Sequence, residues 1–515
     1  MKRFVSCVFK IIFSRMLVIF LMMILQILVL LASFVWLGSY FHYLWEGMSL
    51  LGAVLIIYIV NRDEPTEFKI SWIIPICILP VLGALIYVFV ISNAGGIGLK
   101  AKMYARTKET EGLLKTSKET AEALKECPKS YQGFAHYMEQ CAGYPVYHNS
   151  SAAYYPLGEE KFKDLLEELK KAERFIFLEY FIVERGSMWD AVLEILKEKA
   201  KEGVEVRVMY DGMCSIVLLP YSYPKQLQKY GIKAKMFAPI IPFLSTSQNN
   251  RDHRKIVVID GKVAFTGGVN LADEYINEKV LYGHWKDIAV KVTGDAVRSF
   301  TVMFLQMWNV SEKGKEDYEK YLQGIEYEKP LYHDGFVIPY GGTPTRKEEV
   351  TKMVYQSMIN QAVQYVHIMT PYFIVDREFL DAMRYAAERG VEVVMILPHI
   401  PDKKIVFYIA RTFYPALLRS GIKVYEYTPG FIHAKALISD DISAAIGTVN
   451  LDYRSFYHHF ECGVSLYDNQ VVGKVEKDFQ ETLKKCQEVT REYYQKIPLI
   501  QKFLGRVFKL FAPMM

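Results

Sequence analysis

The sequence predicts N-terminal transmembrane helices followed by two similar α/β lobes. Long apolar runs crowd the first 92 residues, and most of the charge follows them. After residue 145, helical patterns alternate with short strands rich in β-branched residues, which is typical of an α/β sheet. This second region also aligns with itself, so it contains two copies of one unit. A chain of 515 residues has room for two or three domains.

The membrane region, 1–92, contains three apolar segments, at about 16–40, 43–60 and 71–92. The first and third are long enough for a bilayer crossing, which takes about 20 apolar residues, while the second is shorter. We therefore expect a multi-pass protein of the cell membrane. Basic residues precede the first apolar segment and follow the third, which favours a cytoplasmic position for both ends of the membrane region. Three full crossings would instead put the two ends on opposite sides of the membrane. We expect the lobes to lie in the cytoplasm.

A charged linker, 93–145, joins the membrane region to the lobes, 146–325 and 326–490. In each lobe a helix leads into a strand, then a G-V-E-V strand, a G-I-K strand and a hairpin that begins with histidine. Such duplication predicts mixed sheets flanked by helices in two lobes about a pseudo-two-fold axis, so that equivalent residues meet in one site. The tail, 496–515, predicts an amphipathic helix on an anionic membrane or, alternatively, one packed on the lobes.

The two histidine hairpins carry the strongest chemical signal. They read HRKIVVIDGKVAFTGGVN from His253 and HAKALISDDISAAIGTVN from His433. Both follow the pattern His-x-Lys-x4-Asp-x6-Gly-x2-Asn. One such pattern is a weak signal, but two at equivalent positions of a repeat are specific. The motif residues are His253, Lys255, Asp260 and Asn270 in the first copy and His433, Lys435, Asp440 and Asn450 in the second.

The spacing within each hairpin has a geometric meaning. A histidine and a lysine two residues apart on a strand point to the same face. If Asp260–Gly261 forms a two-residue turn, His253 lies opposite Gly268. The same count in the second copy places its histidine opposite Thr448. A small residue there lets a ligand approach the backbone, so the expected phosphate-binding residues are Gly268, Asn270, Thr448 and Asn450.

Two imidazoles, two ammonium groups and two amides in one site suit a phosphodiester. Lysine and asparagine donate hydrogen bonds to non-bridging oxygens. One histidine attacks phosphorus, and the other protonates the leaving oxygen. We expect no metal and no cofactor, because the sequence has neither a carboxylate cluster nor a Cys/His spacing that favours a metal.

Carboxylates beside the histidines complete the candidate site. Asp260 and Asp440 are candidate catalytic residues of the motif, but they fall in the predicted turns, which favours a structural role. Better partners lie downstream, at Asp287 in HWKDIAV and Glu461 in HHFECGV. A carboxylate on one ring nitrogen would fix the tautomer and stabilise the imidazolium. The alternative for this second pair is a surface ion pair at a strand edge.

On these residues the chain resembles the phospholipase D superfamily and, more closely, its bacterial cardiolipin synthases. Other similar stretches are residues 61–89, FIFLEYFIV, GVEVRVMYDG, GGVNLADEY, TPYFIVD and LDYRSF, so that the likeness covers about residues 48–515. It implies transfer of a phosphatidyl group from one phosphatidylglycerol to another, giving cardiolipin and glycerol. It also implies a phosphohistidine on His253, with His433 as acid and then base. The implied partners are these lipids and a membrane, with no nucleic acid.

Two departures from the resemblance stand out. Family members commonly carry R-S-F-x-x-N-x-E after the second motif, whereas His459 occupies the asparagine position here. The apolar segment before residue 40 is also unusual. Two alternatives stay open, a phospholipase D-type hydrolase or nuclease in which water is the acceptor, and a non-catalytic module that binds anionic lipid. The module predicts damage to one motif copy, and the membrane segments favour lipid over nucleic acid.

Overall fold

A computed structural model describes residues 24–25, 28, 38–91, 94–214, 218–239, 249–325, 334–346 and 348–514. These residues fall into two compact units. The first comprises the described residues up to Leu99 together with Asn249 and Val507–Met514. The second comprises the described residues of Lys100–Pro239 and Asn250–Arg506, and it contains both histidine hairpins.

The N-terminal unit is helical, with α1 Gly38–Val60, α2 Thr66–Ile78 and α3 Pro80–Ile91. Its small core contains the buried side chains of Ile59, Ile76 and Tyr87. The segment expected as one span at 71–92 is two helices. The break falls immediately before Pro80, because proline lacks an N–H and its ring clashes with the preceding helical turn.

The three expected membrane spans meet different outcomes. Most of the span at 16–40 lies outside the described residues, and the span at 43–60 lies inside α1. Within the described ranges, no helix combines the length and the apolar character that a bilayer crossing requires. Multi-pass insertion therefore stays a prediction.

The segment expected as a linker is helical where it is described, with α4 Ala94–Glu109, α5 Lys118–Leu124 and α6 Lys129–Gln140. Ser117 begins α5 because its hydroxyl accepts a hydrogen bond from the Thr120 N–H at 3.0 Å. The buried face of α6 includes Tyr131, whose ring stacks on Tyr467 with centroids 3.6 Å apart. Helix α6 is thus packed against the second lobe.

The first lobe contains a seven-stranded mixed sheet in the order β1-β8-β6-β5-β2-β3-β4. Its strands, with β7 outside this sheet, are β1 Ser150–Tyr155, β2 Phe175–Tyr180, β3 Glu205–Asp211, β4 Lys233–Phe237, β5 Lys255–Ile259, β6 Val263–Gly267, β7 His284–Lys286 and β8 Ala289–Gly294. The neighbours β2, β3 and β4 are parallel, and the other pairs are antiparallel. The helices are α7 Gly158–Lys170, α8 Ser187–Lys201, α9 Tyr223–Gln228, α10 Val297–Asn309 and α11 Glu319–Leu322.

The second lobe repeats this strand order and adds one strand at the edge. Its strands are β9 Phe336–Gly342, β10 Tyr365–Met369, β11 Phe373–Ile374, β12 Glu392–Pro398, β13 Lys423–Tyr427, β14 Gly430–Ile432, β15 Ala436–Ser439, β16 Ser443–Gly447, β17 Leu451–Asp452, β18 Glu461–Tyr467 and β19 Cys486–Glu488. The sheet order is β9-β18-β16-β15-β10-β12-β13-β19, while β11 pairs with β17 and β14 with β7. The helices are α12 Val350–Gln361, α13 Arg377–Glu388, α14 Lys404–Arg411, α15 Tyr414–Arg419, α16 Gln470–Leu483, α17 Arg491–Lys496 and α18 Leu499–Lys509. Two α/β lobes with mixed sheets are confirmed.

The central strands explain why the lobe sequences read as short apolar runs. Every residue of β2 is buried, because helices cover both faces of the sheet at its centre. Helix α8 is amphipathic and contributes Trp189, Val192 and Leu196 to the buried core of the first lobe. This packing makes the sheet a rigid support, and the first histidine lies just before the start of β5.

Each histidine hairpin contains one residue more than a two-residue turn allows. Asp260–Gly261 has positive φ at both residues, as such a turn requires. The strands, however, pair Ile259 with Val263, which leaves one extra residue, as in a β-bulge. The second hairpin shows the same shift. The predicted register, which aligned the histidines with Gly268 and Thr448, is therefore wrong.

Candidate active site

Backbone contacts bring the two lobes together beside the histidines. Strand β7 of the first lobe pairs in parallel with β14 of the second. The His433 N–H then donates to the carbonyl of Lys286 at 2.7 Å, and the His253 N–H donates to that of Phe460 at 2.9 Å. Each histidine backbone is thus bonded to the residue that precedes a carboxylate in the opposite lobe.

The side chains repeat this exchange between the lobes. Nδ1 of His253 lies 2.9 Å from Oε1 of Glu461, and Nδ1 of His433 lies 2.6 Å from Oδ2 of Asp287. All four side chains are buried. A carboxylate on Nδ1 leaves Nε2 as the nitrogen that can meet a substrate. Each His–carboxylate pair takes one residue from each lobe, so neither lobe holds a complete pair alone.

The surroundings of the two carboxylates differ. Glu461 accepts hydrogen bonds from the hydroxyls of Thr448 and, at 2.7 Å, Ser455. Beside Asp287 the equivalent position is Gly268, where a Cβ would lie 2.0 Å from Oδ1 of Asp287. Only glycine fits so close to the carboxylate. Gly268 and Thr448 therefore contact the carboxylates in this structure, and their expected contact with phosphate stays a prediction.

The two asparagines are placed differently from each other. Oδ1 of Asn270 accepts from the Ile182 N–H at 3.0 Å, and its Nδ2 donates to the Tyr275 hydroxyl at 2.7 Å. These bonds commit Asn270 to the scaffold. Oδ1 of Asn450 is buried and has no hydrogen-bond partner within the described part of the chain. Phosphate binding by the two amides stays a prediction, and Asn450 is the better placed of the two.

Both motif lysines fold back onto their own histidines. Nζ of Lys255 donates to the carbonyl of His253 at 2.7 Å, and Nζ of Lys435 donates to that of His433. Burial lowers the pKa of Lys255 to about 8 and that of Lys435 to about 7. An ammonium group has three donors, so each lysine retains donors for a phosphate oxygen.

Burial and positive neighbours make the resting imidazoles neutral. Burial and then Lys255 lower the pKa of His253 well below its usual range. Burial and then the neighbouring Lys435 lower the pKa of His433 to about 4, although Asp287 opposes them. Burial also raises the pKa of Glu461 to about 8. The imidazolium form of His433 is therefore stabilised more by its carboxylate, Asp287, than the imidazolium form of His253 is by Glu461.

The two motif aspartates hold the hairpin turns in place. Each carboxylate accepts hydrogen bonds from three backbone N–H groups. These groups lie at the start of the strand that pairs with the hairpin, which is β2 in the first lobe and β10 in the second. The donors are Glu173, Arg174 and Phe175 to Asp260, and Val363, Gln364 and Tyr365 to Asp440, at 2.7 to 2.8 Å. This placement is structural and does not support their inclusion among the catalytic residues.

The site contains groups that the motif search did not predict. Ser455 binds Glu461, and the ring of Phe181 packs edge-on against His253 with centroids 4.9 Å apart. His459, noted in the sequence as a departure, stacks on His253 at 5.7 Å. Ser455 stands in the R-S-F stretch and Phe181 in FIFLEYFIV, and these similar stretches were the available signals. Among the described residues, no group of three or more His, Cys, Asp or Glu side chains is arranged to hold a metal ion.

Comparison with known proteins adds the family. The family described as cardiolipin synthase, PLD-like domain, matches residues 165–308 and 355–483, and the phospholipase D-nuclease N-terminal family matches residues 50–90. A cardiolipin synthase of Geobacillus sp. strain WCH70 is 34% identical over 487 residues, covering 92% of this chain and 95% of that protein. An uncharacterized protein of Streptococcus mutans serotype c is 47% identical over 466 residues, covering 90% of this chain and all of that protein.

Solved structures show a likeness of fold. The phosphatidylserine synthase of Haemophilus influenzae Rd KW20 superposes with a TM-score of 0.55 at 15% identity, covering 75% of this chain and 98% of that one. The sequence match to both lobes, to the N-terminal segment and to full-length relatives agrees with the doubled site described above. The chain belongs to the cardiolipin synthase family of PLD-like domains.

Proposed function

We propose that the protein is a cardiolipin synthase, which transfers a phosphatidyl group from one phosphatidylglycerol to another and releases glycerol. The observation that carries this proposal is the pair of histidine–carboxylate contacts between the lobes, His253 with Glu461 and His433 with Asp287. Relatives named cardiolipin synthase, which align over about nine-tenths of the chain, support the choice of reaction.

In the first step, Nε2 of His253 attacks the phosphorus of the donor lipid. The bond from phosphorus to the glycerol oxygen breaks, and that oxygen takes a proton from Nε2 of His433. Lys255 and Lys435 donate hydrogen bonds to the non-bridging oxygens, where negative charge increases. The result is a phosphatidyl group on His253 and free glycerol.

In the second step, a hydroxyl of another phosphatidylglycerol gives its proton to His433. Its oxygen attacks the phosphorus, and the bond between phosphorus and His253 breaks. The product is cardiolipin, and His433 again carries the proton that it lost in the first step. The bonds and protons therefore balance over the two steps, with no cofactor and no net change in the enzyme.

The unequal carboxylates support this assignment of roles. Glu461 divides its lone pairs between an imidazole and two hydroxyls, and burial raises its pKa, so it stabilises an imidazolium weakly. Oδ2 of Asp287 lies 2.6 Å from Nδ1 of His433. Asp287 raises the pKa of His433 and so opposes the effect of burial, which lowers it. The anionic phosphodiester between the histidines further favours the imidazolium. His433 is thus the better proton carrier, which leaves His253 as the nucleophile.

The function is tested with purified full-length protein in detergent micelles containing phosphatidylglycerol labelled in its headgroup and acyl chains. Cardiolipin and labelled glycerol are the expected products, formed equally well in the presence of a chelator. Phosphatidic acid with glycerol, and no cardiolipin, would instead identify a hydrolase. Binding of the lipid without turnover would identify the non-catalytic module.

We further propose that the N-terminal unit is embedded in the membrane. On α1 the side chains of Leu50, Val54 and Ile57 are 68%, 55% and 64% exposed, and their spacing places them on one helix face. Such an apolar face is suited to lipid tails. On this proposal the protein resists extraction by alkaline carbonate, and release into the soluble fraction would contradict it. Basic residues after the third segment favour a cytoplasmic position for the lobes.

The tail provides a second membrane contact in this proposal. Along α18, the apolar side chains of Leu499, Ile500 and Phe503 are 82%, 61% and 62% exposed. Residues 499–515 contain basic but no acidic side chains, which suits an anionic lipid surface. In bilayers containing phosphatidylglycerol with brominated acyl chains, a Phe503→Trp variant is expected to show extra quenching relative to the wild type. Absence of extra quenching would favour a tail packed on protein.

A further inference from the structure

His459 is a third imidazole in the site, with no role in the two-step mechanism. It is buried, with 8% of its surface exposed, and its ring stacks on that of His253 with centroids 5.7 Å apart. Its Nδ1 is buried and has no hydrogen-bond partner among the residues that the structure describes. Buried polar atoms are nearly always paired, so a bound ligand that supplies a partner would be favoured.

Two basic residues outside the doubled motif act electrostatically on His459. The backbone N–H of His459 donates to the backbone carbonyl of Arg454 at 2.7 Å. Nζ of Lys403, which directly precedes α14, lies 5.2 Å from the ring centroid of Tyr372. Burial lowers the pKa of His459 well below its usual range, and Arg454, His458, Lys255 and Lys403 lower it further. The imidazole is therefore neutral and feels these positive charges. Arg454 and Lys403 also act on the buried carboxyl of Asp452, whose pKa burial raises.

Among the described residues, the first copy has a carboxylate where the second copy has Arg454. Counted from the motif asparagines, the position of Arg454 in the second copy corresponds to Glu274 in the first. Burial raises the pKa of the Glu274 carboxyl, and Glu184 and Asp273 raise it further, while Lys279 opposes them. The two copies are therefore alike at the histidines and differ in charge at this position.

The proposed reaction needs such an asymmetry, because its product carries two phosphodiesters. One is the reacting group between the two motif histidines. The other belongs to the acceptor lipid and undergoes no chemistry, yet it brings a negative charge into the site. We infer that His459, Lys403 and Arg454 form a second phosphate subsite that binds the phosphodiester of the acceptor lipid. This inference rests on the proposed transferase function and adds the basis of acceptor recognition.

The test compares an acceptor that carries a phosphodiester, phosphatidylglycerol, with one that carries none, glycerol. Transfer to phosphatidylglycerol forms cardiolipin, whereas transfer to labelled glycerol returns labelled phosphatidylglycerol. In the second case the glycerol oxygen bonds to phosphorus, the bond to His253 breaks and the hydroxyl proton goes to His433. Both reactions share the first step. We expect Lys403→Gln to lower cardiolipin synthesis about tenfold, through the acceptor KM, and to leave glycerol exchange unchanged. His459→Asn is expected to lower cardiolipin synthesis more than glycerol exchange, because its ring also contacts the nucleophile.

Lys404→Gln provides a matched control, because this neighbouring lysine is also exposed and its loss changes the surface charge equally. It is expected to leave both reactions unchanged. Equal losses in the two reactions, or no loss in either, would overturn the subsite while leaving the transferase function intact. A wild-type protein that forms neither cardiolipin nor labelled phosphatidylglycerol would instead overturn the proposed function. Unchanged glycerol exchange by Lys403→Gln also demonstrates that this variant is folded.

Discussion

His253 and His433 occupy the same place in two copies of one hairpin, but their carboxylates are not equivalent. Asp287 is short, lies against Gly268 and accepts the Ile288 N–H at 2.8 Å besides the imidazole. Glu461 is longer and accepts two hydroxyls as well as its imidazole. A duplicated scaffold therefore positions two similar histidines, while a few neighbouring side chains give them different proton affinities. The proposed division into nucleophile and acid depends on those neighbours.

The largest effects are expected from the histidines themselves. His253→Ala and His433→Ala should each lower turnover by about a thousandfold or more, because the two groups act as a unit. With labelled phosphatidylglycerol, His433→Ala should accumulate a phosphatidyl group on His253, detected by peptide mapping under conditions that preserve phosphohistidine. The exposed His136→Asn serves as a control with wild-type activity. A label on His433 in the His253→Ala protein would reverse the assignment.

The carboxylates test the comparison directly. Asp287→Asn should lower kcat by about a hundredfold or more, because the proton carrier loses the charge that supports its imidazolium. Glu461→Gln should cost less, about tenfold, because the nucleophile needs orientation more than charge. Initial rates at saturating lipid measure both. A larger loss from Glu461→Gln would show that the proton carrier is His253.

Substitutions at Gly268 and Thr448, which contact the two carboxylates, are expected to have smaller effects on the rate. In Gly268→Ala the new Cβ would displace Asp287, and a shift of about 1 Å costs about a hundredfold in rate. Thr448→Val removes one donor from Glu461 without adding volume and should cost only a few-fold. Thermal unfolding of both variants separates a displaced carboxylate from a destabilised lobe. Equal losses in the two proteins would argue against the proposed asymmetry.

Lipid affinity should depend on pH through the motif lysines. Burial lowers the pKa of Lys435 to about 7 and that of Lys255 to about 8, so both lose charge as the pH rises through this range. Binding of the phosphodiester anion needs the ammonium forms and is therefore strongest at lower pH. We expect the KM for phosphatidylglycerol to rise about tenfold from pH 6.5 to 9. A KM that falls over this range would contradict the phosphate-binding role.

The smallest effect on catalysis is expected from the motif aspartates. Asp260→Asn and Asp440→Asn each weaken a carboxylate that accepts three backbone N–H groups, which should cost about 1–3 kcal/mol of unfolding free energy. The kcat of the folded protein should change little. Chemical denaturation measures the first effect and active-site titration with rate measurement the second. A large loss of kcat in a stable variant would return these residues to the catalytic set.

Several features were predictable from the sequence because they depend on local pattern. The period of the strands and helices and the repeat predicted two α/β lobes. The doubled spacing of histidine and lysine identified the residues of the site, although both histidines lie before the strands rather than on a strand face. The turn position of Asp260 predicted a structural role. Asp287 and Glu461 were identified as candidate partners by residue type and position alone.

The tertiary structure decided how those residues combine. The sequence contains no signal that His253 takes its carboxylate from the second lobe and His433 from the first, because that exchange depends on how two folded lobes pack. The one-residue shift in each hairpin likewise depends on strand pairing, and so does the close approach of Gly268 to Asp287. The sequence thus determined the groups available for phosphoryl transfer, while packing between the lobes determined their partners, their burial and their different proton affinities.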